Sequence, residues 1–218
     1  MTRENFDLQL AHVKEKLVKL ATMVNRLQEQ AVKALADRDE ELAKELVASD
    51  LLINQAQREI EETCLLLIAS QQPVARDLRL VFSVAMIASE LERMADHAKG
   101  VAVLAQRLAD QPLLKPLIDV PRMAEIGRDL LMGQIEAFMK GDMEAARRLA
   151  ERDTEVDQLN DQVFRELLVL MMTDPRTITR ATYLLWVAHN LERFADRSTN
   201  IGERVVFLQT NTIVELNE

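Results

Sequence analysis

One segment of this chain occurs twice, and that duplication limits the folds open to it more than any other feature. Ser89-Glu-Leu-Glu-Arg-Met-Ala-Asp96 returns as His189-Asn-Leu-Glu-Arg-Phe-Ala-Asp196, an offset of 100 residues. Upstream, Val32-Lys-Ala-Leu, Asp39, Leu46 and Asp50 align with Ile135-Glu-Ala-Phe, Asp142, Leu149 and Asp153 at an offset of 103. The change from 103 to 100 falls around residues 173–176, as a shortened loop requires. A repeat of this length exceeds a solenoid unit and matches a small domain. The expectation is one helical domain doubled, with any site at positions that repeat.

Each copy reads as three helices. Phe6, Leu10, Val13, Leu17, Leu20, Val24, Leu27 and Ala31 alternate four- and three-residue steps, the seam of a long bundle helix. Asp37-Arg-Asp39 marks a break, a second helix covers about 39–71, and Gln71-Gln-Pro73 stops it because proline cannot continue a helix. A third helix covers about 75–110. Residues 111–121 hold three of the five prolines and form the best linker candidate. Helices over about 121–140, 142–172 and 177–210 then repeat the plan, with breaks at Gly141-Asp142 and Asp174-Pro175. The predicted fold is all-α: two tandem three-helix antiparallel bundles, residues 1–110 and 121–218, joined by a linker at 111–120.

Composition excludes several functions. Net charge is −9 and aromatics are 4% of residues, which argues against a phosphate-backbone binder or a base-stacking platform for nucleic acid. No run reaches the ~18 apolar residues of a membrane span, and no leader-like apolar stretch opens the chain. The lone Cys64 lies in an apolar run and reads as a buried small residue in a reducing compartment. A soluble, cytoplasmic protein is expected. The methionines, Tyr183 and Trp186 read as core packing.

Carboxylates carry the remaining chemistry. Glu92 and Asp96 share a helical face, but eight acid pairs have this spacing, so spacing alone selects nothing. The hairpin geometry does select. Asp50 and Asp96 each lie 23 residues from Pro73, and Asn54 and Glu92 each lie 19 from it, so an antiparallel hairpin brings them to one level. Asp153 with Asp196 and Asp157 with Glu192 are likewise symmetric about the Asp174–Pro175 turn. Asn200 and Glu203 extend the Asp196 face, where the first copy has Gly100 and Val103, so the second cluster is richer. Clustered carboxylates repel, and burial raises the cost unless a cation or proton neutralises them. Arg93 and Arg193 point about 100° away from the glutamates beside them and must reach elsewhere. Oxygen-only donors suit hard cations: magnesium, calcium, manganese or oxidised iron. His12, His97 and His189 lack di-iron spacing, and no Gly-rich phosphate loop occurs, so no enzyme is indicated.

These features together resemble the PhoU phosphate-signalling family. The resemblance rests on Gln71-Gln-Pro-Val-Ala-Arg-Asp-Leu-Arg79, Glu90-Leu-Glu-Arg-Met-Ala-Asp96, Asn190-Leu-Glu-Arg-Phe-Ala-Asp196 and Asn200-Ile-Gly-Glu203, and it spans essentially the whole chain. It implies a cytoplasmic, often dimeric regulator, peripheral to the inner membrane only through its partners. Those partners are the ATPase subunit of the phosphate ABC transporter and a phosphate-sensing histidine kinase. The implied role is to restrain phosphate uptake and starvation signalling. The resemblance also implies iron, zinc or other metal held by acidic motifs, which fall here on Glu92/Asp96, Asp153/Asp157 and Glu192/Asp196. With Asp50 and Glu203, these form the candidate ligand set. Asn54 stands where the family often has an acid. The competing readings are a metal-free helical scaffold unrelated to phosphate and, more remotely, a di-iron oxidase.

Overall fold

Capping chemistry sets where each helix begins. Asp39 and Asp142, equivalent in the two copies, each accept a hydrogen bond from the N–H three residues on, Leu42 and Ala145, both at 2.9 Å. The residues before them, Arg38 and Gly141, both take positive φ, 57° and 68°, to close the preceding helix. The computed structural model describes residues 3–216. Its helices are α1 (Arg3–Asp37), α2 (Glu40–Gln71), α3 (Ala75–Leu108), α4 (Asp119–Lys140), α5 (Met143–Glu151), α6 (Asp153–Thr173) and α7 (Ile178–Thr210). A single 3₁₀ turn, Pro175–Thr177, joins α6 to α7. No strand occurs among the described residues.

The helices fall into six rods, three per copy, as expected. One rod departs from expectation. The helix predicted over 142–172 breaks at Arg152 into α5 and α6. There the Arg152 N–H bonds Leu149 O at 3.1 Å and the Glu155 N–H bonds Arg152 O at 3.0 Å, three-residue bonds that tighten the turn. Its counterpart α2 runs unbroken through Asp50. Helix α4 also starts two residues earlier than predicted, at Asp119. Lys115 ties the preceding connection to Asp119 and Glu166, and Arg180 donates to Pro112 O at 3.0 Å.

The seam of α1 is buried as predicted, from Phe6 through Ala31. Cys64 is also buried, which pushes its thiol up to about 11. Helix α2 touches only α1 and α3, and it buries one stripe: Ala43, Leu46, Asp50, Ile53, Ile60, Cys64 and Leu67. In contrast, α3 and α7 each pack on several neighbours and on each other. Their buried sides are accordingly broad and rich in small residues, among them Ala88, Ala95, Ala98, Ala188, Ala195 and Gly202. Contacts between α1 and α4 complete the junction, and one apolar core runs through both copies.

Polar side chains set the register of the α3–α7 pair. Glu90 Oε2 accepts from Arg197 Nη1 at 3.2 Å and from Asn200 Nδ2 at 3.0 Å. The repeat-equivalent pair, Asn190 and His97, meets at 3.2 Å between Oδ1 and Nδ1. One junction contact is thus ionic and its symmetry mate neutral. Glu90 keeps only 12% of its side chain exposed, so removing it strands Arg197 in a water-poor setting. Replacing Glu90→Ala should lower stability by about 1–3 kcal/mol in urea unfolding, the cost of leaving a buried charged donor unpaired. A loss no larger than that of an exposed substitution would show that apolar packing alone sets this register.

Two acidic clusters as the candidate functional site

The antiparallel hairpins bring Asp50, Glu92 and Asp96, and likewise Asp157, Glu192 and Asp196, within electrostatic reach of one another. In the first copy, Asp50 on α2 is buried, and its Oδ2 accepts from Lys99 Nζ of α3 at 2.7 Å and from Asn54 Nδ2 at 3.2 Å. Lys99 Nζ also lies 3.8 Å from Asp96 Oδ1. Burial pushes the Glu92 carboxyl above its ordinary value, and the charges of Asp96 and Asp50 push it further, with Arg93 and Lys99 opposing. Asp50, Glu92 and Asp96 therefore share one electrostatic environment with a built-in cation. Asp50 Oδ1 and Asn54 Oδ1 are buried without hydrogen-bond partners.

The second copy has no equivalent cation. The repeat places buried Thr199 where Lys99 stands, and its hydroxyl donates to Asp196 O at 2.6 Å. Burial raises Glu192 first; the Asp196 and Asp157 charges add to this, and Arg193 opposes it. Asp157 is raised by desolvation and then by Asp196 and Asp161. Asp153 is buried at the first position of α6, beside the helix break. Glu192 Oε2 is buried without a hydrogen bond, 3.5 Å from His189 Nδ1.

Arginine contributes more than the sequence reading allowed. Arg193 Nη1 lies 2.7 Å from Asp196 Oδ2, because residues three apart share a helical face. Arg93 reaches back to Glu90 at 3.9 Å. Glu203 is engaged elsewhere: its Oε1 accepts from Leu216 N–H at 3.2 Å, and its Oε2 lies 3.5 Å from Arg204 Nη2. Asn200 binds Glu90. As the side chains stand, no three carboxylate, histidine or cysteine groups among the described residues gather closely enough to enclose an ion. The donor set of the second cluster nevertheless fits a hard cation: oxygen only, partly desolvated, mutually repelling, and one glutamate oxygen unbonded. In the first cluster the Lys99 ammonium supplies one positive charge beside Asp50 and Asp96.

Sequence reasoning missed Lys99 and Glu90. The available signal for Lys99 was its place three residues after Asp96 on the same face. Trp186, expected in the core, is instead 55% exposed. The buried face of α7 runs through Ala181, Leu184, Val187, Ala188 and Leu191, and Trp186 falls outside that arc.

Comparison with known proteins now decides the family. The PhoU domain model matches residues 17–105 and again 120–205, one match in each copy. The chain belongs to the PhoU family. It is 36% identical over 207 residues to the phosphate-specific transport system accessory protein PhoU homolog of Aquifex aeolicus, covering 95% of this chain and 94% of that one. The homolog of the same name from Streptococcus pneumoniae is 35% identical over 215 residues, covering 99% and 100%. Among solved structures, PhoU from Pseudomonas aeruginosa superposes with a TM-score of 0.90 at 33% identity, covering 95% of this chain and all of that one. Two PhoU domains thus coincide with the two three-rod halves, and the acidic clusters lie at the same place in each.

The raised carboxyls carry a sign. A carboxyl whose folded value exceeds its unfolded one costs stability while ionised, and the cost is relieved as pH falls through the folded value. Glu192→Gln should therefore raise the melting temperature of metal-free protein at neutral pH. That gain should shrink as pH falls into the carboxylate range, as followed by thermal denaturation from pH 7 to 4. A variant less stable than wild type at pH 7 would mean that Arg193 and His189 already more than compensate Glu192.

Proposed function

We propose that this PhoU-family chain is a non-enzymatic, cytoplasmic regulator of phosphate homeostasis. It restrains high-affinity phosphate uptake and the starvation response when phosphate is ample, by contacting the transporter's ATPase subunit and a phosphate-sensing histidine kinase. The observation that carries the reading is full-length similarity, across both copies, to phosphate-specific transport system accessory proteins. No described helix is long and apolar enough to cross a membrane. Exposed apolar side chains suited to protein contacts stand on α2 (Leu51, Leu52, Leu65, Leu66) and on α6 (Phe164, Leu168, Val169, Met172). These same faces are available for a homodimer.

The acidic clusters serve this role as cation-dependent braces. Asp153, Asp157, Glu192 and Asp196 would hold a hard cation across α6 and α7. Such an ion neutralises the repulsion and stiffens the surface between the two helices. In the first copy Lys99 performs that neutralisation from within the chain. Metal dependence is therefore concentrated in the second copy.

Deleting the gene should raise phosphate uptake and switch on starvation-response reporters in phosphate-rich medium, with restoration by the wild-type copy. Unchanged uptake and reporters in the deletion strain would overturn the regulatory reading. For the braces, chelation should lower the melting temperature of the wild type but not of a Glu192→Ala, Asp196→Ala variant. Lys99→Met should create a second, first-copy dependence on added manganese or magnesium. Wild type and the double variant responding alike to chelation would remove metal from the account.

A further inference from the structure

At one end of the junction, four helices enclose a small recess that the acidic clusters do not touch. Lys14 of α1 and Arg76 at the start of α3 come from the first copy; Lys140, Gly141 and Gln209, at the ends of α4 and α7, come from the second. Its volume is about 110 Å³. Each water occupies ~30 Å³ in the liquid, so the recess takes a few waters or one small ion. Drug-sized and nucleotide ligands need roughly 300–1,000 Å³.

The charge in this recess is unusual for the chain. The protein carries 36 acidic residues and a net charge of −9. Here the imbalance is reversed. Lys14 is half-buried and Arg76 exposed, and neither has an ion pair or hydrogen-bonded acid among the described residues. The two are close enough to repel: burial and the Arg76 charge both hold the Lys14 ammonium below its usual value. Lys140 stands on the rim, paired with Glu136. Gln209 Nε2 donates to Gly141 O at 3.0 Å and closes the second-copy wall. Two unpaired cations lining one recess, the half-buried Lys14 and the exposed Arg76, form a natural complement to a compact anion. A guanidinium offers two parallel donors to such a group, and an ammonium adds a point charge.

We propose that this recess binds a single tetrahedral oxyanion of the phosphate class, held between the Lys14 ammonium and the Arg76 guanidinium. Both named ligands come from the first copy and the second copy supplies the facing wall, so a bound ion stabilises the folded chain by linkage. The anion is either free phosphate or a phospholipid headgroup. This inference concerns the purified chain and stands apart from the transporter reading.

The test is isothermal titration calorimetry on full-length, chelator-treated protein, which keeps phosphate from reporting on metal at the acidic clusters. Sodium phosphate and sodium sulfate are titrated at ionic strength balanced with chloride, and phosphatidylglycerol vesicles are compared with phosphatidylcholine vesicles. Wild type should bind a free oxyanion or phosphatidylglycerol saturably, and Lys14→Gln with Arg76→Gln should weaken that binding at least about tenfold, or 1.4 kcal/mol. Circular dichroism checks that the variant folds, and Lys14→Arg should retain binding because it keeps the charge. Saturation by phosphate or sulfate identifies a free ion. Saturation by phosphatidylglycerol alone, lost in the double variant, identifies a headgroup. No saturable binding of any probe overturns the proposal, as does binding that the double variant keeps.

Discussion

The antiparallel contact between α3 and α7 is the constraint on which the rest of the structure depends. Each three-helix half has its own buried stripes, yet neither half finishes its core alone. The broad, alanine-rich sides of α3 and α7 are covered only when the halves meet. Small residues line this contact, and at Gly100 a Cβ would come within 2.7 Å of the Asn190 side-chain Oδ1. Glu90 with Arg197, and Asn190 with His97, then choose one register along that contact. Apolar packing supplies the affinity of the halves, and these paired polar groups supply the alignment.

That register also decides which surfaces remain free. With α3 and α7 at the centre, α2 and the broken α5–α6 rod are left on the outside and do not touch each other. Each outer rod shares its acids with a central helix. The clusters therefore lie at the edge of the core, where carboxylates are partly desolvated but still reachable from solvent. Duplication would make the two edges equal, but divergence separates them, most directly where Lys99 faces Thr199 in the alignment of the copies. Lys99 places an ammonium within 2.7 Å of Asp50, and Thr199 offers no charge in the second copy. The first cluster's cation crosses between helices to a buried aspartate, whereas the second cluster's, Arg193, pairs with Asp196 of its own helix.

Much of this was legible in the sequence because repetition and periodicity are local signals. The α1 seam from Phe6 to Ala31, the turns at Pro73 and Pro175, and the breaks at Asp37–Asp39 and Gly141–Asp142 follow from spacing and turn chemistry. The meeting of Asp50 with Asp96 followed from counting residues on either side of a turn, since two straight helices rise equally per residue. The same counting could not reveal the break at Arg152, which depends on hydrogen bonds three residues apart rather than on residue type. It also placed Trp186 inside, because apolar neighbours in sequence say little about which arc of a helix is covered.

The sequence by itself determined that the chain is all helical, doubled, and furnished with two sets of acids at matching levels. These properties follow from each residue's near neighbours and from the symmetry of a hairpin. Only the tertiary structure decided that the halves share one core, that Lys99 reaches Asp50 while Arg193 reaches Asp196, and that Lys14 and Arg76 line one recess with residues of the second copy. Those outcomes depend on which helix faces close on one another. Residues as distant as Lys14 and Gln209 become neighbours only through the packing of four helices, and no spacing within a single helix encodes that.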